Sequence, residues 1–251
     1  MPRPHTDHRI AFEPSPKHVR VVANGKTVAD SLCAGLLLET GHQPVYYFPR
    51  DDDRTDLLEP TSHRTQCPFK GDASYWTLRA GNRLVENAVW TYEEPNAIAA
   101  PIKGLLAFDW HKADHWFEED EEIFAHPRDP HHRVDVRPST RVVRVVFGGE
   151  MIAQTGRGLF LFETGLPTRY YIPPADIRMD FLTPTLKTTT CPYKGEASYW
   201  TIRVGDRAVE DAVWSYAEPL PECPRIKGYF CFYPEKVERI EIEGEGPHKA
   251  A

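Results

Sequence analysis

The stretch Thr65-Gln66-Cys67-Pro68-Phe69-Lys70-Gly71-Asp72-Ala73-Ser74-Tyr75-Trp76-Thr77 returns as Thr189-Thr190-Cys191-Pro192-Tyr193-Lys194-Gly195-Glu196-Ala197-Ser198-Tyr199-Trp200-Thr201, 124 residues further on. The same offset carries Glu39 onto Glu163, Tyr46-Tyr47 onto Tyr170-Tyr171, Trp90 onto Trp214, Glu94-Pro95 onto Glu218-Pro219 and Lys103-Gly104 onto Lys227-Gly228 without a gap. Solenoid repeats run at about 20 to 50 residues, so a repeat of this length is a duplicated domain. A residue kept in both copies has survived since the duplication, which makes the chain its own comparison.

Working outward, the first copy opens with His18 to Ala23, the turn Asn24-Gly25, and Lys26 to Asp30. Asn-Gly between two short β-prone runs is a strong hairpin signal because both turn positions need positive φ. Gly148-Gly149 meets the same demand in the second copy. Leu36 to Thr40, Val45 to Phe48, Gly158 to Glu163 and Arg169 to Ile172 read as further strands. A second hairpin runs from Ala73 to Arg79, turns at Gly81-Asn82 and returns through Leu84 to Ala88, with its twin turning at Gly205-Asp206. Strands through Val89 to Tyr92 and Ile102 to Phe108 complete the copy, and Arg54 to Leu58 has room for one short helical turn. With no long helical period, the fold class is all-β: two tandem copies of a small antiparallel domain joined by an ordered connector. The boundaries read as an N-terminal arm at 1–16, a first β-domain at 17–112, a connector at 113–138, a second β-domain at 139–242 and a C-terminal tail at 243–251.

The 251 residues carry a formal net charge of −7, so no basic field exists to neutralise a phosphate backbone, and nucleic acid is not expected as a partner. Apolar runs such as Gly35-Leu36-Leu37-Leu38 fall far short of the roughly 18 residues of a membrane span. The start, Met1-Pro2-Arg3-Pro4-His5, lacks the apolar stretch of a secretory signal, and a cytoplasmic location is expected. Five cysteines, of which only Cys67 and Cys191 correspond, imply no disulfide framework.

The motifs Cys67-Pro68-Phe69-Lys70-Gly71 and Cys191-Pro192-Tyr193-Lys194-Gly195, the segments Ala88-Val89-Trp90-Thr91-Tyr92 and Ala212-Val213-Trp214-Ser215-Tyr216, and the connector His126-Pro127-Arg128-Asp129-Pro130 together resemble the domain of unknown function 427 family in its tandem form. The resemblance runs from about Lys17 to Ile242. It implies a β-tent-like fold, in which two small antiparallel sheets lean together over a pocket. Some β-tent relatives pin their sheets with zinc held by two cysteine pairs, which this chain lacks. A nucleotidyltransferase label also travels with the family, but the sequence shows neither a P-loop nor a Gly-Ser with paired Asp-x-Asp to hold magnesium and phosphate.

Four sets of residues carry candidate chemistry. Cys67 and Cys191 each precede a lysine by three, and an ammonium there favours thiolate and a nucleophile. The competing reading is a tight buried turn with cysteine as a small apolar filler. Trp90 and Tyr92, matched by Trp214 and Tyr216, share one face of a strand and, near Lys70 and Lys194, make a box for a planar or cationic small molecule. The competing reading is aromatic filling of a small core. Glu39 and Glu163 end apolar runs, where a carboxylate needs a partner such as Lys70 or a ligand, and they are the candidate acid or base. Among the 11 histidines, none within 17–112 meets a histidine in the second copy. His111 and His115 lack an evident third ligand, and the connector's His126, His131 and His132 beside Glu121 and Glu122 are the better metal guess, against the competing reading of solvated or paired histidines; no metal set is assigned, and no cofactor is identified. The function expected is a small-molecule-binding pocket in each β-domain. The alternatives are a transferase-like enzyme acting through the repeated cysteine or glutamate, and a non-catalytic scaffold. Oligomeric state is not legible.

Overall fold

In the computed structural model of the chain, which describes residues 8–244, Asn24 and Gly25 take φ of 48° and 69° and close the hairpin between strands Val19–Ala23 and Lys26–Ser31. Gly148 and Gly149 do the same for Val143–Phe147 and Glu150–Thr155, at 63° and 78°. The chain divides into two units between Asp129 and Pro130. Each is all-β and antiparallel, with short 3-10 turns.

In the first unit the hairpin is extended by His115–Glu118 and Glu121–Ile123 into a four-stranded sheet. A larger surface is built from Ile10–Pro14, Gly35–Glu39 and Val45–Tyr47, continued through a bridge between Phe48 and Leu106 into Ala107–Phe108, Arg83–Thr91, Gly71–Ala80 and Leu58–Cys67. The second unit joins the equivalent strands into one sheet of seven, from Val134–Ser139 to Leu182–Cys191, beside a three-stranded sheet ending in Arg239–Ile242.

Period-2 alternation sends neighbouring side chains of the larger sheet to opposite faces. Tyr46, Phe48, Trp76 and Val89 face the hairpin sheet and pack with Val19, Val21 and Trp116. Tyr47, Tyr75, Trp90 and Tyr92 face the other way and pack with Leu37, Ala73 and Ile102. That second face holds the candidate site. Among the described residues no helix is long and apolar enough to cross a membrane.

Several sequence expectations need correction. The segment read as an arm, 1–16, supplies the strand Ile10–Pro14, paired with Gly35–Glu39; residues 1–7 lie outside the described chain, as do residues 245–251 of the tail. The stretch read as a connector, 113–138, belongs to the units themselves: His115–Glu118 pairs with Val19–Ala23, and Val134–Ser139 with Gly158–Glu163. Ile102 to Phe108 is not one strand. A 3-10 turn over Ala97–Ile102 contains Pro101, and Gly104 at φ 69° turns the chain, leaving the short strand Ala107–Phe108 with single bridges at Lys103 and Leu106. The long strand Leu58–Cys67 escaped the pattern because an edge strand need bury little, and its Pro60 is tolerated there.

Candidate functional site

The Cys-Pro-x-Lys-Gly motif is a hairpin turn: Cys67 pairs with Gly71, and Cys191 with Gly195. Gly71 and Gly195 take φ of 97° and 100°. A Cβ on them would stand 3.4 Å from the Glu94 carbonyl oxygen and 3.2 Å from that of Glu218, so glycine is required both for its φ and for close approach. The amide of Asn96 donates to Lys70 O, and that of Leu220 to Lys194 O, both at 3.1 Å, fixing the turn on the next loop.

So fixed, Lys70 turns its ammonium onto Glu39, at the end of strand Gly35–Glu39. His8 Nε2 lies 3.0 Å from the same carboxylate, and its ring stacks on Phe69 at 3.5 Å between centroids. The second unit repeats the cluster. Lys194 Nζ donates to Glu163 Oε1 and Oε2 at 2.5 and 2.6 Å, His132 Nε2 lies 3.0 Å from Oε1, and His132 stacks on Tyr193 at 4.3 Å. Burial pushes the Glu39 carboxyl up, but the Lys70 ammonium and the His8 ring outweigh it and hold the group below its ordinary range. A carboxylate so engaged is a fixed acceptor and a weak base.

Trp90 and Tyr92 do share a face. Trp90 Nε1 donates to Tyr47 Oη at 3.3 Å, and Trp214 Nε1 to Tyr171 Oη at 3.2 Å, each with the rings edge to face. Tyr75 and Tyr199 meet Thr65 and Thr189 through their hydroxyls at 2.8 and 2.7 Å. Burial raises the Tyr92 and Tyr216 phenols far above their ordinary range, so both stay protonated.

In the first unit these groups border a cleft of about 670 Å³, whose walls include Glu39, Lys70, Tyr75, Trp90 and Tyr92, with His42, His63, Asp109 and Lys112. The volume falls within the roughly 300 to 1,000 Å³ of small-molecule sites. In the second unit Tyr233, the counterpart of Asp109, lies 4.4 Å from the Trp214 ring, and the Arg169 guanidinium lies 5.5 Å from Trp214 and 5.8 Å from Tyr233.

Cys67 begins its turn and accepts the Lys70 amide at 3.4 Å. Of the unmatched thiols, Cys33 is exposed, whereas burial pushes Cys223 up to about 11 and Cys231 up to about 12. His115, considered above for metal, pairs with Glu122 at 2.6 Å. His8, in the segment read as an arm, is a site residue without an expected role, and His132, a metal candidate of the connector in the sequence, instead sits on Glu163 and Tyr193. Their signal was present: His8-Arg9 and Pro14-Ser15 recur as His132-Arg133 and Pro138-Ser139 at the 124-residue offset. Asp109, replaced by Tyr233 in the second copy, left no such trace, whereas Lys112 recurs as Lys236.

No curated protein matches the sequence. The family described as Domain of unknown function (DUF427) matches residues 11–119 and again 135–243, one span in each unit. The repeated turn, its ion pair and its aromatic face are therefore features of a protein that belongs to the DUF427 family, in tandem form.

Proposed function

We infer that the chain is a small-molecule-binding protein whose ligand sits in the first unit's cleft, against Trp90 and Tyr92 and within reach of Lys70. The second unit carries the counterparts Lys194, Trp214 and Tyr216 on the same frame. The observation that carries this reading is the convergence of side chains from separate strands and one glycine-dependent turn on the wall of a cleft of about 670 Å³. A domain needing these residues only for its core would have no cause to border open space with an indole, two phenols and a lysine.

The enzymatic alternative, with Cys67 or Cys191 as nucleophile or Glu39 or Glu163 as base, has less support. Glu39 is already held by two cationic or hydrogen-bonding partners and kept below its ordinary pKa, which suits anchoring better than proton abstraction near neutrality. The test is a thermal-shift screen of wild type and Trp90→Leu against amines, amino acids, nucleotides and divalent metals, followed by calorimetry well below the melting range. A ligand that raises the wild-type Tm by mass action and is lost in Trp90→Leu supports the reading. Silence across the panel transfers it to the scaffold alternative.

A further inference from the structure

The two units share one backbone frame around the cleft. Asp109 N donates to Ala88 O at 2.8 Å, and Tyr233 N to Ala212 O at 3.0 Å. Lys112 Nζ straps the carbonyls of Glu86 and Asn87 at 3.0 and 3.1 Å, and Lys236 Nζ straps those of Glu210 and Asp211 at the same distances. Val45 stands opposite Leu37 on the neighbouring strand, as Arg169 stands opposite Leu161. Several residues that line the cleft differ in kind between the units, among them His42 (Leu166) and His63 (Lys187), and two of the replacements lie against the indole: Val45 is replaced by Arg169, and Asp109 by Tyr233.

These replacements fill the space over the indole. Tyr233 packs on Trp214 and Arg169 lies over both rings, and Trp214 is only 7% exposed, whereas Trp90 is partly open to the cleft. The second unit thus holds a guanidinium and a phenol over the indole where the first unit has a valine and a carboxylate. Both groups are ordinary occupants of an aromatic box, since a cation is drawn to the negative face of an indole and a second ring packs on it. In the first unit the position of the phenol is taken by Asp109, which lines the cleft, accepts the His111 amide at 3.0 Å through one carboxylate oxygen and lies 3.7 Å from Lys112 Nζ through the other, so the open face of the Trp90 indole is the surface left for a cation.

Building on the binding function inferred above, we propose that Arg169 and Tyr233 are a built-in occupant of the second unit, and that the first unit is the sole receptor, taking a small planar cation of the guanidino or aryl-alkylamine type against Trp90. The ligand supplies in trans what the second unit holds in cis. The second copy keeps the motif because its fold uses it, and the first keeps it for exchange with solution.

The test is isothermal titration of the full chain with agmatine and with tyramine, which reproduce the two plugging side chains as free molecules. Wild type should bind one equivalent of at least one of them. The Val45→Arg/Asp109→Tyr variant, carrying the second unit's plug, should lose at least tenfold in affinity while its Tm is kept or raised. The Arg169→Val/Tyr233→Asp variant should bind two equivalents, and it carries the test by itself if the first variant fails to fold. Two equivalents in wild type, or no second site after unplugging, would overturn the plug assignment. Binding of neutral or anionic compounds but of neither cation overturns the ligand class and leaves the binding function standing; no binding by any compound overturns both.

Discussion

Lys194 Nζ sits 2.5 and 2.6 Å from the two carboxylate oxygens of Glu163, and the side chains keep only 11% and 6% of their surface exposed. Breaking such a pair from one side leaves an uncompensated buried charge, a cost of about 3 to 5 kcal/mol. Glu163→Leu and Lys194→Met should each destabilise the second unit on that scale, and the double variant should lose much less than their sum. Urea unfolding of the four proteins measures the coupling; additive losses would show that the pair contributes no interaction energy.

Asp53 is buried, and its two carboxylate oxygens accept no hydrogen bond from the protein. Burial, with Asp52 beside it, pushes its pKa up to about 8 against the partial pull of Arg50. The folded chain therefore holds a proton that an unfolded aspartate, at about 3.9, gives up. Stability from this group is fully present below pH ~4, falls as pH rises and is gone above pH ~8. Ile177 occupies the matching position of the second unit, also buried. Asp53→Ile should stabilise the first unit by about 1 to 3 kcal/mol at neutral pH and flatten that slope. Melting curves between pH 5 and 8 decide it, and a variant with the wild-type slope would absolve Asp53.

Gly35 lies under the Phe12 ring, so a Cβ there would run into it. The second unit has the opposite assignment at the matching positions, Leu159 and Val136, both buried in one cluster. Gly35→Leu alone should cost about 1 to 3 kcal/mol or more through overpacking. Adding Phe12→Val should restore most of the loss. Failure of the second change to rescue the first would show that the two sites are not interchangeable solutions.

The thiols should separate by burial. Cys33 is exposed, and burial lifts Cys223 and Cys231 far from neutrality, so iodoacetamide at pH 7.5 should label Cys33 first and Cys231 last. Peptide mass spectrometry over time gives the order. Labelling of Cys67 and Cys191 ahead of Cys33 would revive the nucleophile reading.

Much of this molecule was legible because its signals are local. Asn24-Gly25 and Gly81-Asn82 announce hairpins by backbone demand, and the Trp90-x-Tyr92 spacing places two rings on one face of a strand whatever surrounds it. Glu39 betrayed Lys70 because a carboxylate ending an apolar run needs a partner. The rest depended on distance or on exposure. His8 reaches Glu39 only through the pairing of Ile10–Pro14, which a Pro- and His-rich start conceals. The polar strand Leu58–Cys67 shows no alternation, since pattern records burial and its side chains bury little. The cleft has no sequence signal of its own, and the uncovered Trp90 becomes visible only when Val45 is compared with Arg169 and Asp109 with Tyr233.

The lysine straps at Lys112 and Lys236 fix the loop the same way whether or not the indole is covered, so filling the cleft demands no rearrangement of the chain. Evolution could therefore move a copy between two occupations by exchanging a pair of side chains, with the scaffold indifferent to the choice. One polypeptide then carries a yielding half and a ballast half. Amides of strand Arg207–Ser215 would exchange with deuterium more slowly than those of Arg83–Thr91, and the wear that comes with trading a ligand would fall on one half and spare the other.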